Sequence, residues 1–393
     1  MVSQGRVAVV GGSVAGLTAA LLLREIGLDV TVFERSGAEL EQRGAGIGLL
    51  PASYRYLVER AHVNLDDLGI RTRFVRYLDR QGRITHEEER PYRFSNWNTL
   101  YRSLLRCFGR ERYLLGHECI DIRPGHPRAY MVQADGNQFE ADLLVGADGV
   151  GSRARACLLP EVRPQYAGYV AWRGLVPERE LGERAAPLVD AITYYVYANS
   201  HILVYPVPGM DGSVRPGDRL MNFVWYRNYL AGADLTDLMT DIQGELHDVS
   251  LPPAAARPKH IEELRTTAAA RLPERIADVV LAVESPFVQA IFDIEVPRMA
   301  FGRTCLIGDA AFAVRPHAAA GTAKAAADAW ELATACRRAR DVEGALREWE
   351  PGQLHLGRHL LARTRRIGRR SQVDCNWSPG DPELVFGLYG PGR

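Results

Sequence analysis

Residues Gly11 to Gly16 read GGSVAG, and their types and spacing suit the binding of a diphosphate. A diphosphate must come close to free backbone amides, and the missing side chain at Gly11 leaves room for that approach. Gly16 allows a helix to pack tightly on the preceding strand. Ser13 replaces the second glycine of the G-x-G-x-x-G pattern, but it is small, keeps its amide, and carries a hydroxyl that can bond a phosphate oxygen.

The elements that must position this turn are a strand before it and a helix after it. A short apolar run, Arg6 to Val10, predicts the strand, and helical periodicity from Val14 to Ile26 predicts the helix. A second alternating run, Asp29 to Phe33, is followed by Glu34, which can accept hydrogen bonds from a ribose. Strand, glycine turn, helix, strand and acid together predict a dinucleotide-binding unit.

Two further buried strands are predicted to end in an aspartate beside a glycine. The Asp-Gly pair at Asp148 follows residues 143–145, and the Gly-Asp pair at Asp309 follows residues 304–307. In a doubly wound sheet, ligands lie outside the carboxyl ends of the strands. Three such ends, far apart in the sequence, can therefore converge on one long extended ligand.

The stretch from residue 164 to residue 297 differs from the rest because it is rich in aromatic residues. Apolar and polar residues alternate in segments 192–197, 201–205 and 220–226. Helices are predicted at 234–247 and 260–270. This pattern predicts a largely antiparallel sheet in a second domain, with most of its aromatic side chains in the core.

The composition limits the function classes. The chain has 393 residues, 47% apolar and 24% charged, which is typical of a globular protein long enough for two domains. The formal net charge is zero, so no overall field attracts nucleic acid or a membrane surface. The six cysteines form no C-x-x-C pair, which gives no indication of a metal site. Because no apolar run would span a bilayer and no signal-peptide layout precedes the first strand, we expect a cytoplasmic protein.

Basic residues other than arginine are rare. The chain contains two lysines, Lys259 and Lys324, and we expect Lys324 at the surface near a helix N-terminus. The C-terminal helix carries a run of arginines that we expect on a solvated face. They are Arg358, Arg363, Arg365, Arg366, Arg369 and Arg370.

Three ordered motifs resemble those of one enzyme family. The set GGSVAG, ADGVGSRAR and GRTCLIGDAAF…RPHAAAG is similar to the motifs of the group A flavoprotein aromatic monooxygenases, and the resemblance covers essentially the whole chain. It implies an α/β fold with a discontinuous Rossmann-like FAD-binding domain, a mostly antiparallel-sheet substrate domain and a C-terminal helical segment. The implied domains are residues 1–71, 100–163 and 298–372 for FAD, residues 72–99 and 164–297 for substrate, and a C-terminal tail of residues 373–393. Ala319 and Ala323 depart from the family pattern, which has glycine and asparagine there.

The resemblance also implies which residues bind FAD. At the diphosphate end these are Gly11, Ser13, Val14, Ala15 and Gly16, with Glu34 at the adenosine ribose and Arg35 and the backbone of Cys119 near the adenine. Towards the flavin they are Arg43 and the glycines after it, Asp148, which also serves the transient NADH or NADPH, Asp309 at the ribityl hydroxyls, Pro316 and Gly321. A helix N-terminus at Gly321 would stabilise the negative charge that hydride transfer places on the flavin.

The implied reaction is hydroxylation of an electron-rich aromatic ring with NADH or NADPH and O2, through a flavin C4a-hydroperoxide. Within the family, the stretches RPHAAAG, YAGYVAWRG and FGL resemble hydroxylases of pyridine rings, which predicts a hydroxypyridine substrate. His317 is the candidate for handling the proton of the ring hydroxyl. Tyr205 and Arg173 are candidates for substrate contact, although core packing and an ion pair would also explain them.

Two other functions remain open on sequence alone. One is a hydroxylase of natural-product biosynthesis with a larger pyridine or phenol substrate, and the other is a non-catalytic nucleotide-binding redox sensor. A flavin halogenase is rejected because Trp172 stands alone rather than in a W-x-W-x-I-P stretch, and a plain NAD-dependent dehydrogenase would leave two motifs unexplained. The expected partners are a small aromatic substrate and O2, without nucleic acid, membrane or metal, and the expected oligomer is a homodimer.

Overall fold

The computed structural model of the protein describes residues 5–40 and 45–393. The strands are β1 Arg6–Val10, β2 Asp29–Glu34, β3 Gly46–Gly48, β4 Ile70–Leu78, β5 Ile84–Asn96, β6 Tyr113–Leu115, β7 Cys119–Arg123, β8 Ala129–Gln133, β9 Gln138–Ala141, β10 Leu143–Gly146, β11 Gln165–Pro177, β12 Ala191–Tyr197, β13 Ser200–Val207, β14 Leu220–Asn228, β15 Ser250–Leu251, β16 Phe287–Asp293, β17 Ala300–Phe301 and β18 Thr304–Leu306. The α-helices are α1 Val14–Glu25, α2 Pro51–Glu59, α3 Leu65–Leu68, α4 Trp97–Phe108, α5 Arg153–Leu158, α6 Glu178–Leu181, α7 Ala233–Met239, α8 Pro258–Arg271, α9 Glu274–Ala282, α10 Gly321–Arg338 and α11 Val342–Gln372. Within the described ranges, no helix combines the length and the apolar character needed to cross a membrane.

A six-stranded sheet with the order β17-β18-β10-β1-β2-β6 contains the glycine-rich motif. Neighbouring strands are parallel except for β17 and β18. Parallel strands carry their carboxyl ends to one edge, and this edge therefore holds Gly11, Glu34, Asp148 and Asp309. The predicted Rossmann-like arrangement is confirmed. Helices α1 and α10 pack against each other, and both begin at the same edge.

A nine-stranded sheet with the order β15-β16-β11-β14-β13-β12-β4-β5-β3 contains the aromatic region. Its adjacent strands are antiparallel except for β12 and β4, which confirms the mostly antiparallel second sheet. Side chains alternate between its two faces along β11: Trp172 packs in a core with α8 and α9, whereas Tyr169 belongs to an aromatic cluster on the opposite face. The predicted domain boundaries remain predictions.

The helix predicted over residues 234–247 was too long. In the structure α7 ends at Met239, and the next residues form turns closed by an isolated bridge between Thr240 and Leu246. The cause is local, because the Asp241 carboxylate accepts hydrogen bonds from the amides of residues 243 and 245. A short acidic side chain that bonds to nearby amides competes with the helical pattern.

The arginine-rich face of α11 is not entirely solvated, and the prediction was wrong for Arg363. This side chain is 1% exposed and donates to the carbonyl oxygens of Gly387 at 2.8 Å and Glu383 at 3.2 Å, and also to that of Val385. The C-terminal segment, residues 383–388, folds back over α11 and needs donors for these carbonyl groups. One buried guanidinium therefore holds the C-terminal segment in place.

Candidate active site

A cleft with about 270 Å³ of space for water-sized molecules opens at the carboxyl edge of the six-stranded sheet. The predicted residues that line it are Gly11, Ser13, Val14, Ala15, Glu34, Arg35, Cys119, Asp148, Asp309 and Gly321. Gly16 lies in the helix behind this wall, Pro316 does not line the cleft, and Arg43 lies outside the described residues. Residues from four separate parts of the chain thus come together as predicted, while their contacts with a cofactor remain predictions.

The glycine turn forms a cradle that side chains would fill. Gly11 has a φ of +102°, and a Cβ atom there would lie 2.5 Å from the carbonyl oxygen of Ala147. A Cβ atom at Gly16 would lie 1.9 Å from the carbonyl oxygen of Gly11, so the close approach of α1 to β1 requires glycine. Ser13, the N-cap of α1, makes no capping hydrogen bond with its side chain, which leaves first-turn amides for a ligand. This cradle fits the diphosphate of FAD.

Glu34 is fixed at the wall of the cleft by two backbone amides. It is 6% exposed, and its carboxylate accepts from the Gly12 amide at Oε2 and from the Ser36 amide at Oε1, both at 2.9 Å. Each carboxylate oxygen has a further lone pair, so the group can also accept a hydrogen bond from a ribose hydroxyl. Tyr113 supports the same turn by donating to the Gly12 carbonyl at 2.9 Å, a role that its position in a short strand did not predict.

The two aspartates at the other strand ends face the cleft in different ways. Ser152 donates to Asp148 Oδ1 at 2.5 Å and the Ala154 amide donates to Oδ2 at 3.0 Å, which ties this carboxylate to the start of α5. The Asp309 side chain is exposed to the cleft, and no such pair of donors from the described residues binds it. The protein packed around these carboxyl groups raises the pKa of both above the usual range, since it removes water from the charged form.

Arg155 joins the two aspartate turns, and sequence reasoning did not assign it a role. It is 3% exposed and donates to the carbonyl oxygens of Val150 at 2.6 Å and Ala310 at 3.1 Å. The signal that could have found it is its place in ADGVGSRAR, since a positive residue so close to a buried strand end needs a partner there. Trp97 also lines the cleft and stacks on Tyr101 with ring centroids 5.0 Å apart.

The N-terminus of α10 points into the cleft. Gly321, Thr322 and Ala325 line it, and the N-cap Ala320 has no side-chain acceptor for the free amides. A helix of 18 residues presents a partial positive charge at such an end. Such an end suits a flavin edge on which reduction develops negative charge, and the place of the flavin here remains a prediction.

Lys324 is not at the surface, and that expectation was wrong. Its side chain is 1% exposed and forms an ion pair with Asp328, whose side chain is fully buried. Because α10 packs against α1 and the turn at Gly308, the first turn of this helix has no solvent-facing side at Lys324. The pair was not predicted because it depends on which side of the helix is covered.

Arg173 and Tyr205 converge on one backbone carbonyl. Arg173 donates to the Gly46 oxygen at 2.6 Å, and the Tyr205 hydroxyl donates to the same oxygen at 2.9 Å. The Gly46 amide donates to Asn222 Oδ1 at 2.9 Å, so both backbone groups of Gly46 are held by the nine-stranded sheet. Core packing, the alternative for Tyr205, is confirmed, since this side chain is 3% exposed and stacks on Phe94, but the bond to Gly46 was not predicted for either residue. Their contact with substrate remains a prediction.

His317 is buried among aromatic rings. It is 5% exposed, its Nε2 lies 2.7 Å from the Tyr169 hydroxyl, and its ring centroid lies 4.7 Å from that of Tyr226 and 5.4 Å from that of His201. Burial lowers the pKa of His317 well below its usual value, with a smaller effect from the nearby imidazole of His201. Its Nδ1 atom has no hydrogen-bond partner among the described residues. A neutral imidazole with one nitrogen hydrogen-bonded and one buried nitrogen unpaired can accept or donate a proton at the unpaired atom.

The C-terminal segment reaches the same loop. The Gly387 amide donates to the Ala318 carbonyl at 3.2 Å, directly after His317. Phe386 packs on Tyr92 with ring centroids 4.5 Å apart, and it lies near Gly48 of β3. The loop at His317, the strand β3 and the end of the chain therefore form one contact region.

Comparison with known proteins agrees with this geometry. Residues 6–145 match the family model described as FAD dependent oxidoreductase, and residues 166–293 match the one described as FAD binding domain-like. The chain is 37% identical over 385 residues to 2,6-dihydroxypyridine 3-monooxygenase of Paenarthrobacter nicotinovorans, covering 98% of this chain and 96% of that protein. It is 30% identical to 3-amino-4-hydroxybenzoate 2-monooxygenase of Streptomyces cremeus, covering 97% and 90% of the two chains.

Solved structures give the same result. The structure of 2,6-dihydroxypyridine-3-hydroxylase from Arthrobacter nicotinovorans matches with a TM-score of 0.94 and 36% identity, covering 100% of this chain and 98% of that one. The chain therefore belongs to the FAD-dependent aromatic monooxygenases. It is an NAD(P)H-dependent flavoprotein hydroxylase with FAD as its cofactor, and the redox-sensor alternative does not hold.

Proposed function

We propose that this monooxygenase hydroxylates a hydroxypyridine ring, with 2,6-dihydroxypyridine as the first substrate to test. The observation that carries the proposal is the 37% identity to a dihydroxypyridine monooxygenase over 98% of the chain. The aromatic rings around His317 support it, because a small planar ring suits such surroundings. A larger phenolic substrate is the second candidate, since a relative at 30% identity is named for an aminohydroxybenzoate.

The cleft residues have separate roles in holding FAD under this proposal. The amides of the turn from Gly11 to Gly16 bind the diphosphate, and Glu34 binds the adenosine ribose. Asp309 binds the ribityl hydroxyls, because its carboxylate is open to the cleft and acceptors of this kind suit hydroxyl donors. When bound, FAD supplies the redox chemistry that takes hydride from NAD(P)H and activates O2.

His317 prepares the substrate for oxygen transfer. Its lowered pKa keeps the imidazole neutral across the physiological range, so a nitrogen lone pair is available. In the proposed tautomer Nε2–H donates to the Tyr169 hydroxyl, and Nδ1 accepts the proton of the ring hydroxyl. Deprotonation makes the ring more electron-rich, and the buried aromatic surroundings keep water away from the reacting atoms. Tyr205 and Arg173 act on substrate indirectly in this scheme, through the Gly46 loop.

The test is NADH or NADPH oxidation in air by the FAD-loaded enzyme, with and without 2,6-dihydroxypyridine, followed by mass analysis of the product. Stimulated oxidation with one added oxygen atom supports the proposal. Stimulation by 3-amino-4-hydroxybenzoate alone would replace the hydroxypyridine with the second candidate. If neither ring stimulates oxidation, the substrate proposal is wrong although the family assignment stands.

A variant separates the role of His317 from folding. His317→Gln should lower kcat by about 10²- to 10⁴-fold with FAD content unchanged, because a general base is removed. The matched control is His355→Gln, an exposed histidine on α11, which should leave kcat as it is. Equal activity of the two variants would contradict the assignment. We also propose that the enzyme is a homodimer located in the cytoplasm. Sedimentation of the FAD-loaded enzyme would test the dimer.

A further inference from the structure

We propose that Lys324 and Asp328 form a positioning pair that holds the Gly308 turn and thereby sets the affinity for FAD. The inference rests on FAD as the cofactor and not on the identity of the aromatic substrate. It concerns two residues of α10 that do not line the cleft themselves. Their side chains lie behind the wall that carries Asp309.

The pair holds both backbone groups of one residue. Lys324 Nζ lies 2.7 Å from Asp328 Oδ2, one helical turn away, and the two side chains are 1% and 0% exposed. The Gly308 amide donates to Asp328 Oδ2 at 2.8 Å. Lys324 Nζ donates to the Gly308 carbonyl at 3.2 Å. The amide and the carbonyl of Gly308 are therefore both fixed by α10.

The backbone conformation of Gly308 sets the direction of the residue that follows it. Its φ is +60°, in the region that favours glycine, and a Cβ atom there would lie 3.1 Å from the Cβ of Ala15 in α1. The next residue is Asp309, whose side chain is exposed to the cleft. A change in the orientation of the Gly308 peptide would thus move the Asp309 carboxylate directly. The pair controls a cofactor contact although it makes none.

The charges around the pair explain why lysine is needed. Asp309 is exposed to the cleft and Asp328 is fully buried, and the ammonium of Lys324 favours the charged form of each carboxylate. Asp328 Oδ1 has no partner within the described residues, so Lys324 supplies the compensating charge for a group that is otherwise poorly paired. Without it, two negative groups would lie beside the site of a negatively charged diphosphate.

A purely structural role is the competing explanation, and it makes a different prediction. A buried ion pair can often be replaced by uncharged residues without loss of stability. If the pair provided only packing and charge balance, a variant that lacks both charges would regain both its stability and its FAD affinity. If the pair positions Gly308, the same variant would regain its stability but not its FAD affinity, because the Gly308 carbonyl would still lack its hydrogen-bond donor.

The experiment compares Lys324→Met with Lys324→Met/Asp328→Asn, and uses Lys259→Met, at the only other lysine, as control. FAD dissociation constants are measured by quenching of flavin fluorescence on titration into apoprotein, and apoprotein stability is measured by thermal unfolding. We expect Lys324→Met to weaken FAD binding at least tenfold and to lower the melting temperature. The double variant should regain the melting temperature but still bind FAD at least fivefold more weakly than the original protein.

Three results would overturn the proposal. The first is an FAD affinity of the double variant within twofold of that of the original protein. This measurement alone tests the proposal if Lys324→Met does not fold. The second is affinity within twofold in Lys324→Met itself. The third is an equal loss in Lys259→Met, whose exposed side chain pairs with Asp237 in another part of the protein. Each of these measurements uses binding rather than turnover, so a wrong substrate assignment cannot produce them.

Discussion

Gly16→Ala tests the claim that the approach of α1 to β1 creates the diphosphate site. The new Cβ atom would lie 1.9 Å from the Gly11 carbonyl oxygen, whereas real contacts of this kind stay above 3.0 Å. The helix must therefore move away by about 1 Å, and a packed core has no free space to absorb such a shift. Overpacking of this kind costs about 1–3 kcal/mol. The displaced amides would also lie too far from a diphosphate, so we expect FAD affinity to fall by more than tenfold.

The assay is titration of apoprotein with FAD, with Gly27→Ala as the matched control. Gly27 follows the far end of the same helix with a φ of +89°, and, its local backbone aside, no atom of the described residues lies within 4 Å of a Cβ placed there. Alanine at Gly27 should cost about 1–2 kcal/mol of stability through backbone strain alone and leave FAD affinity unchanged. The reasoning fails if Gly16→Ala binds FAD normally, or if Gly27→Ala weakens binding as much as Gly16→Ala.

Three further predictions follow from single contacts. Arg173→Met removes a charged donor from the Gly46 carbonyl and should weaken FAD binding roughly tenfold in a fluorescence titration; unchanged binding would mean that the loop holds without it. Arg363→Met leaves buried carbonyl groups unpaired and should open the C-terminal segment 383–388 to limited proteolysis, with cleavage mapped by mass analysis; a resistant segment would contradict this role. Burial lowers the pKa of His201 to about 3, so below pH 6.5 the unfolded chain binds a proton that the folded chain does not, and stability falls as the pH falls. At pH 5 this loss of stability is about 2 kcal/mol. The free energy of urea unfolding should therefore fall by about 2 kcal/mol less between pH 8 and pH 5 in His201→Gln than in the original protein. An unaltered difference would show that His201 does not cause the loss.

The parts of the site that sequence could predict are those set by local backbone geometry. Some positions require glycine because φ is positive or because a neighbouring backbone lies very close, as at Gly11 and Gly16. Such glycines occur at a fixed spacing that can be recognised in the sequence. The strand ends at Asp148 and Asp309 were predicted for the same reason, since each follows a short apolar run. These positions converge because a parallel sheet carries all its carboxyl ends to one edge.

The parts that sequence could not predict depend on distant packing. Lys324 and Arg363 look like ordinary helix-surface residues, but α1 and the Gly308 turn cover Lys324, and the C-terminal segment covers Arg363. The targets of Arg173 and Tyr205 were also hidden, because both donate to a carbonyl at Gly46, more than 120 residues earlier. Every residue has a backbone carbonyl, so no sequence motif shows which carbonyl will be the hydrogen-bond partner.

Side chains hold backbone groups in two loops that we propose lie beside the flavin. The loop residues Gly46 and Gly308 are held at their amide and carbonyl groups by side chains from other elements. Ala319, where the family resemblance implied glycine, has a φ of +53°, a conformation that costs about 1–2 kcal/mol for alanine. The surrounding contacts must supply that energy, because the residue itself does not favour this shape. The conformation of these loops is therefore fixed by the side chains that hold them, and those side chains are the residues to compare when substrate specificity is traced among relatives.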